Sequence, residues 1–324
     1  MVTFEEVKKA RERINQYIWR TPLDFSMHLS SGDRRVYLKL ECQQKLKSFK
    51  IRGALSKLTS LTEEERRLGV MTVSSGNHGA GVSYGANLLK EIKATVFVPA
   101  NTPEAKVEKI KYYGADIQLA GNSYDEAYKI GMEYAQKSKV TFIDSCSDLE
   151  VIAGQGTIAL EILEENPDID TILVPIGGGG MITGIGLAAK SIKPSLRVIG
   201  LQTAACPAMV QSLEDKKCYI EFPSEESLCE ALIGGVGEIP YHMAGNCIDD
   251  ILLVEEEWIK RGMLQLMNKE KVIAEPSGAI GYGALMAAPE LIQGRNIAVV
   301  ISGGNLNPQL MQDIFIESLS VSET

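Results

Sequence analysis

Residues 171–189 read TILVPIGGGGMITGIGLAA: an apolar run closed by Pro175, four consecutive glycines, then a second apolar run, all without a charge. The length raises a membrane span, but a single helix through the four glycines would lose roughly 1 kcal/mol at each of them. The stretch therefore reads as a buried strand, a glycine turn and the start of a helix. A strand feeding a helix in this way is half of a βαβ unit, and the alternation continues through most of the chain. Short runs at 36–40, 70–73, 94–99, 116–119, 141–143, 171–175, 197–201 and 297–301 predict strands, many rich in Val and Ile and bounded by Gly, Pro or Asp. Helical segments are predicted at 103–113, 124–138, 152–165 and 256–269. This is the pattern of an α/β fold with parallel strands joined by crossover helices. No fixed-period repeat is present.

The 324 residues, 45% hydrophobic and 23% charged, suffice for a full core, which excludes disordered and collagen-like classes. At roughly 150 residues per domain the length predicts about two domains and a cleft between them. No Pro/Gly/Ser-rich linker marks the boundary. The formal charge is 33 − 42 = −9, with no basic tract, so nucleic acid is excluded as a partner on electrostatic grounds. The six cysteines are scattered, without a C-x-x-C pair and away from the three histidines, so they read as reduced apolar core residues and not as a zinc site. That usage points to the cytoplasm. The N-terminal stretch EEVKKARERI reads as a surface helix and not as a signal peptide, and no membrane partner is expected.

Ligands of open α/β sheets bind beyond the carboxyl ends of strands, and five such segments carry unusual residues. Ser48-Phe49-Lys50-Ile51-Arg52-Gly53-Ala54 offers a lysine that is either simply exposed or desolvated beside Phe49 and available for a Schiff base. In Val73-Ser74-Ser75-Gly76-Asn77-His78-Gly79 a strand ends in small polar residues; an N-cap explains Ser and Gly, while hydroxyls, an amide and free N–H groups could also form a nest for a carboxylate. Ile176-Gly177-Gly178-Gly179-Gly180-Met181 predicts a phosphate cradle at a helix start. Glu275-Pro276-Ser277-Gly278-Ala279 and Ile301-Ser302-Gly303-Gly304-Asn305 are polar turns. The glycines at 178, 180 and 184 approximate a dinucleotide fingerprint, but the next strand ends in Gln202 with no acid nearby for a ribose, and there is no P-loop. A lysine, a phosphate loop and a buried hydroxyl are the parts that pyridoxal phosphate chemistry requires.

Taken in order, SFKIRGA, SSGNHG, VIAGQGTIALEI, GGGGM, EPSGA and SGGN span nearly the whole chain. The sequence resembles the serine racemase and serine/threonine dehydratase family of pyridoxal phosphate enzymes, of the tryptophan synthase β-like fold (fold type II). The resemblance implies two domains of open, mostly parallel sheets with the cofactor in the cleft. The large one would comprise residues 1–62 and 147–324, and the small, mobile one residues 63–146. It makes Lys50 the Schiff-base lysine with Phe49 beside the ring, sets Asn77 on the cofactor's phenolic oxygen, Gly177, Gly178, Gly179, Gly180 and Met181 on its phosphate, and Ser302 opposite its pyridine nitrogen. The substrate carboxylate falls on Ser74, Ser75, Asn77 and His78. A hydroxyl facing the pyridine nitrogen leaves that nitrogen largely unprotonated, which disfavours a long-lived carbanion and favours prompt β-elimination. Lys50, once freed, would take the Cα proton, water would leave, and hydrolysis would give a 2-oxo acid and ammonia. A homodimer is implied as well.

The implied activity is thus a serine or threonine ammonia-lyase. Ser75, where dehydratases often carry alanine, is also the residue from which a racemase would reprotonate the opposite face, so a serine racemase with side dehydratase activity is an alternative. Two departures matter. Gln202 and Ala208 stand where racemases place an acidic cation-binding pair, which predicts that this metal site is absent. Residues 230–237, EALIGGVG, lack the serine pair of the racemase version, which leaves room for a modified hydroxy amino acid of the hydroxyectoine-breakdown type. The chain ends soon after SGGN, so an appended isoleucine-sensing domain is not expected. A non-catalytic sensor or a nicotinamide enzyme on the same scaffold predicts a colourless protein, where a pyridoxal enzyme is yellow.

Overall fold

A computed structural model describes residues 1–321 of the chain. Ten strands form two sheets: β1 (Leu23–Ser31), β2 (Arg34–Lys39), β3 (Val70–Val73), β4 (Ala94–Val98), β5 (Asp116–Leu119), β6 (Thr141–Phe142), β7 (Thr171–Pro175), β8 (Arg197–Thr203), β9 (Asp250–Val254) and β10 (Asn296–Val300). One sheet runs β1-β2-β10-β7-β8-β9 and the other β5-β4-β3-β6. Only the β1–β2 pairing is antiparallel; the rest are parallel, which crossover helices between strands require.

Every strand expected from the sequence forms, with ends displaced by no more than one or two residues. β1 and β9 were not expected, and both lie at edges of the larger sheet. Their outward faces meet water, so LDFSMHLSS alternates too irregularly to announce a strand.

β7 sits in the middle of the larger sheet, and its side chains alternate between two cores. Ile172 and Val174 face the helices Phe4–Ile14, Leu149–Glu165 and Gly180–Ile192, whereas Leu173 faces Glu256–Gln265 and Pro276–Ala287. Each of these fully buried aliphatic side chains contributes roughly 1.5–3 kcal/mol. The charged N-terminal stretch forms the helix Phe4–Ile14, with Thr3 and Glu6 making a capping box and Val7, Ala10 and Ile14 turned inward. The glycines of VIAGQGT serve close packing. A Cβ on Gly154 would stand 2.6 Å from the Arg52 carbonyl oxygen, so the helix Leu149–Glu165 lies directly against the helix Lys50–Ser60.

Beneath those two helices lies a buried ionic group. Arg52 donates to both oxygens of Glu41 at 2.8 and 2.9 Å, and to Glu161 at 2.7 and 2.8 Å. Lys39 adds Glu161 at 2.6 Å and the Thr21 carbonyl at 2.7 Å. Two cations and two carboxylates cancel, and the hydrogen bonds fix the start of the helix Lys50–Ser60 on β2.

Candidate active site

Lys50 opens the helix Lys50–Ser60. The loop before it is tied to the turn after β10: Ser48 bridges Gly303, and the Phe49 N–H donates to the Ser302 carbonyl at 3.1 Å. The amine Nζ lies 5.3 Å from the centre of the Phe49 ring and donates to the Ser145 carbonyl at 3.2 Å. Desolvation draws its ammonium below the ordinary lysine range, and the charges of Asp144 and Glu275 only partly oppose this. Lys50 is thus the desolvated lysine of the two possibilities open in the sequence. Burial disfavours the ion and so favours the neutral amine that covalent catalysis needs.

The segment after β3 faces it. A Cβ on Gly81, in the helix Asn77–Leu88, would lie 3.5 Å from the Lys50 carbonyl oxygen, so the two helix starts sit side by side. The N-cap is Gly76, without a side-chain cap. The capping role open to Ser75 is therefore unused; Ser74 Oγ instead accepts from the Gly76 amide at 3.3 Å. The His78 ring points inward, with Nε2 against the Ile143 carbonyl at 3.1 Å. Burial and the Lys50 charge depress its pKa to about 4, so the ring is neutral, Nε2 carries the proton and Nδ1 is a bare acceptor. An acceptor repels a carboxylate, which leaves the His78 backbone amide, in the unpaired first turn of the helix, as its contribution to a carboxylate nest.

Asn77 belongs to a polar chain that joins the start of its helix to the turns at Glu275 and Asn305. Its Nδ2 donates to Glu275 Oε1 at 2.9 Å, its Oδ1 accepts from Asn305 Nδ2 at 2.6 Å, and Lys109 Nζ donates to Asn305 Oδ1 at 2.6 Å. Asn77 Nδ2 also lies 3.3 Å from Glu275 Oε2, so the amide is held by both oxygens of the carboxylate. Burial raises the Glu275 carboxyl above its usual range, against the lowering effect of the Asn77 and Asn305 hydrogen bonds.

The glycine loop leaves β7 and enters the helix Gly180–Ile192 through Gly179 at φ +90°. A Cβ on Gly178 would meet Cys146 Sγ at 2.5 Å, and one on Gly177 would meet the Ala231 carbonyl at 2.7 Å. The Gly237 amide donates to the Gly178 carbonyl at 3.0 Å, which folds the 230–237 segment over the loop. Met181 stands buried in the first turn of the helix. Ser302, after β10, is buried, and its Oγ lies 3.5 Å from the Ser277 carbonyl. Because β7 and β10 are paired neighbours, the glycine loop and the Ser302 turn open at the same sheet end. Gln202 is buried, with Oε1 accepting from the Met209 and Val210 amides at 3.1 Å. Among the described residues no three or more His, Cys, Asp or Glu gather as a metal-ligand group.

Two buried polar atoms at this site lack a protein partner: His78 Nδ1 and Ser147 Oγ, the latter against Gly237. A desolvated amine, a glycine cradle at a helix start and the unpartnered Ser147 hydroxyl next to Cys146, which packs on that cradle, fit a phosphorylated aldehyde, with Lys50 to bond it and Gly177–Gly180 to hold its phosphate. The family described as pyridoxal-phosphate dependent enzyme matches residues 14–303. The chain belongs to that family. Within this pyridoxal-phosphate dependent family it is 37% identical over 321 residues to an L-threonine ammonia-lyase of Thermotoga maritima, covering 98% of this chain and 79% of that protein. It is 35% identical over 330 residues to the Staphylococcus aureus protein named L-threonine dehydratase catabolic TdcB, covering 100% and 95%. The solved structure of maize serine racemase matches with a TM-score of 0.89 at 31% identity, over 100% of this chain and 99% of that one.

Several residues of this candidate site were not expected from the sequence as site residues. Lys109 and the segment 144–147 carried no assignment, and Glu275 and Asn305 stood in turns without a stated role. Cys146 is not an ordinary core cysteine: it is partly exposed and set against the glycine loop, and burial together with Asp144 pushes its thiol up to about 12. Cys218 is also only partly buried, while the other four cysteines are buried and all six are free. The available signal for 144–147 was its place at the carboxyl end of a strand, the same rule that picked out the other segments.

Proposed function

We propose that this chain is a pyridoxal-phosphate dependent ammonia-lyase that removes water from serine or threonine and releases a 2-oxo acid and ammonia. The observation that carries the reading is the desolvated Lys50 amine set between the glycine loop and the Asn77 turn, and the threonine ammonia-lyase and dehydratase relatives support the substrate class. The cofactor supplies an electron sink for the carbon next to the amino group. Lys50 does the rest: as a neutral amine it takes the Cα proton, and the Ser145 carbonyl receives the N–H it carries afterwards. The amides of Ser75, Asn77 and His78 orient the substrate carboxylate, Asn77 bonds the cofactor's phenolic oxygen, and Ser302 faces its ring nitrogen. Glu275 and Asn305 hold Asn77 in place.

The small lobe, residues 63–146, carries the four-stranded sheet and the Ser74–His78 turn, and the large lobe, residues 1–62 and 147–324, carries Lys50 and the glycine loop. Closure of the first onto the second excludes water from the carbon acid. We also assign the chain to the cytoplasm, as a homodimer.

A second reading, serine racemase with side dehydratase activity, is favoured by the Ser75 hydroxyl, which has no hydrogen-bond partner among the described residues and stands at the turn facing Lys50. One product assay separates the two. L-serine and L-threonine should yield 2-oxo acid in a Lys50-dependent manner, and D-serine should form from L-serine only in the racemase reading, with Ser75→Ala suppressing it. Absence of 2-oxo acid from every hydroxy amino acid tried would overturn the ammonia-lyase assignment.

A further inference from the structure

The segment following β6 is positioned by site residues on all sides. Ile143 accepts from the His78 ring at 3.1 Å, Ser145 accepts from Lys50 Nζ at 3.2 Å, and Cys146 packs on Gly178, whose Cβ would stand 2.5 Å from its sulfur. Asp144 therefore sits between the two residues that touch the base and its neighbour. Its Oδ1 accepts from the Cys146 and Ser147 amides at 2.8 and 2.6 Å, a turn that leaves the second oxygen outside it. Two tyrosines of the helix Tyr124–Ser138 flank this strand end: Tyr128 meets Phe142 with ring centres 5.7 Å apart, and Tyr124 meets Tyr128 at 6.2 Å. Tyr124 is half exposed. Burial and the Asp144 charge raise both phenols above their usual range, which keeps them neutral.

A carboxylate two residues beyond Phe142, whose ring packs on Tyr128, is the pairing that attracts a cation, through charge and through the ring quadrupoles. It also repels an anion. Lys50 does not discharge Asp144, because its amine is held by the Ser145 carbonyl and pairs with no carboxylate among the described residues. The thiol of Cys146 is protonated and adds no charge.

We infer that Asp144, with Tyr124 and Tyr128, is the specificity-determining corner of the site, and that it selects amino acids whose side chain carries a positive charge or a hydrogen-bond donor against those whose side chain is anionic. This inference rests on the ammonia-lyase reading for the location of the substrate and narrows its substrate class. Threonine and serine satisfy it through their hydroxyl, and a side chain with an amine satisfies it better.

The test uses the holoenzyme and three amino acids: L-serine, its ammonium isostere L-2,3-diaminopropionate, and the anionic L-threo-3-hydroxyaspartate. Titration followed by the cofactor's visible absorbance gives a dissociation constant for each, whether or not elimination follows, and 2-oxo acid release is read in parallel. Asp144→Asn keeps an Oδ1 that can accept from the two amides and removes only the charge. The wild type should bind the cationic isostere at least about tenfold more tightly than the anionic one, and Asp144→Asn should shrink that ratio about tenfold. Asp144→Ser, which also accepts from a turn amide, repeats the measurement should the first variant fold poorly. An unchanged ratio in a folded variant, or a wild type that prefers the anionic amino acid, overturns the inference. Binding that follows the expected order with no 2-oxo acid formed from any of the three would count against the ammonia-lyase reading and leave the corner's selectivity standing.

Discussion

Two lysines lie inside this protein, one ending β2 and one opening the helix Lys50–Ser60, and they have opposite surroundings. Lys39 is fully buried but meets Glu161 and the Thr21 carbonyl, with Arg52 and Glu41 completing a neutral group. Lys50 is desolvated and meets one carbonyl, with no carboxylate in an ion pair. Desolvation lowers the pKa of both. In Lys39 the neighbouring carboxylates oppose it at bonding distance, and the charge is kept as part of the structure; in Lys50 nothing does, and the amine is left reactive. A buried cation with its partners holds a fold together, and a buried amine without them is chemistry in waiting.

The comparison breaks most sharply by exchanging the roles. Lys50→Ala should lower 2-oxo acid formation about 10³-fold or more, whereas Lys39→Met should retain the activity of whatever fraction folds. Comparable activity in both variants, by steady-state assay of purified protein, would dissolve the distinction. Arg52→Met tests the structural half. It strands Glu41 and Glu161 without their fork, and should cost about 3–5 kcal/mol in urea unfolding. A loss within 1 kcal/mol would mean that the group is solvated in solution.

How much of this was legible beforehand follows the range of the interactions. The strand–glycine–helix unit at 171–189 is local, and with it came the parallel sheets and the proposed phosphate loop; motif order supplied the proposed site residues Lys50, Asn77 and Ser302. β1 and β9 were not legible, because an edge strand carries half of the alternation that reveals a central one. The pairing of Asn77 with Glu275 crosses 198 residues, and no periodicity encodes it. The ionic group under Lys50 was hidden for a related reason: Glu41, Arg52 and Glu161 each look like surface charges until two helices and a strand bring them together. His78 was legible as a site residue but not in orientation, since only the contact with the Ile143 carbonyl shows that its ring turns away from the turn.

Two smaller effects sharpen the site side of the comparison. With its folded pKa at about 4 against 6.5 for the free side chain, His78 binds its proton more readily in the unfolded chain. Its contribution is therefore whole above pH 6.5 and is lost progressively as pH falls toward 4, reaching on the order of 3 kcal/mol. Stability measured against pH should show that slope, and His78→Asn should flatten it; an unaltered slope would mean the ring is exposed. Gly178→Ala places a Cβ against Cys146 Sγ, and the loop must shift to admit it. Cofactor affinity should fall about tenfold, roughly 1.4 kcal/mol, read by equilibrium dialysis; unchanged affinity would remove the loop from the phosphate site.

The most direct measurement is covalent. The holoenzyme is reduced with borohydride, digested, and its lysine peptides are weighed by mass spectrometry. The account predicts a pyridoxyl group on Lys50 alone, with Lys39, Lys109 and the surface lysines unmodified. A pyridoxyl group on any of those in place of Lys50, or cofactor bound with no lysine modified, would contradict it.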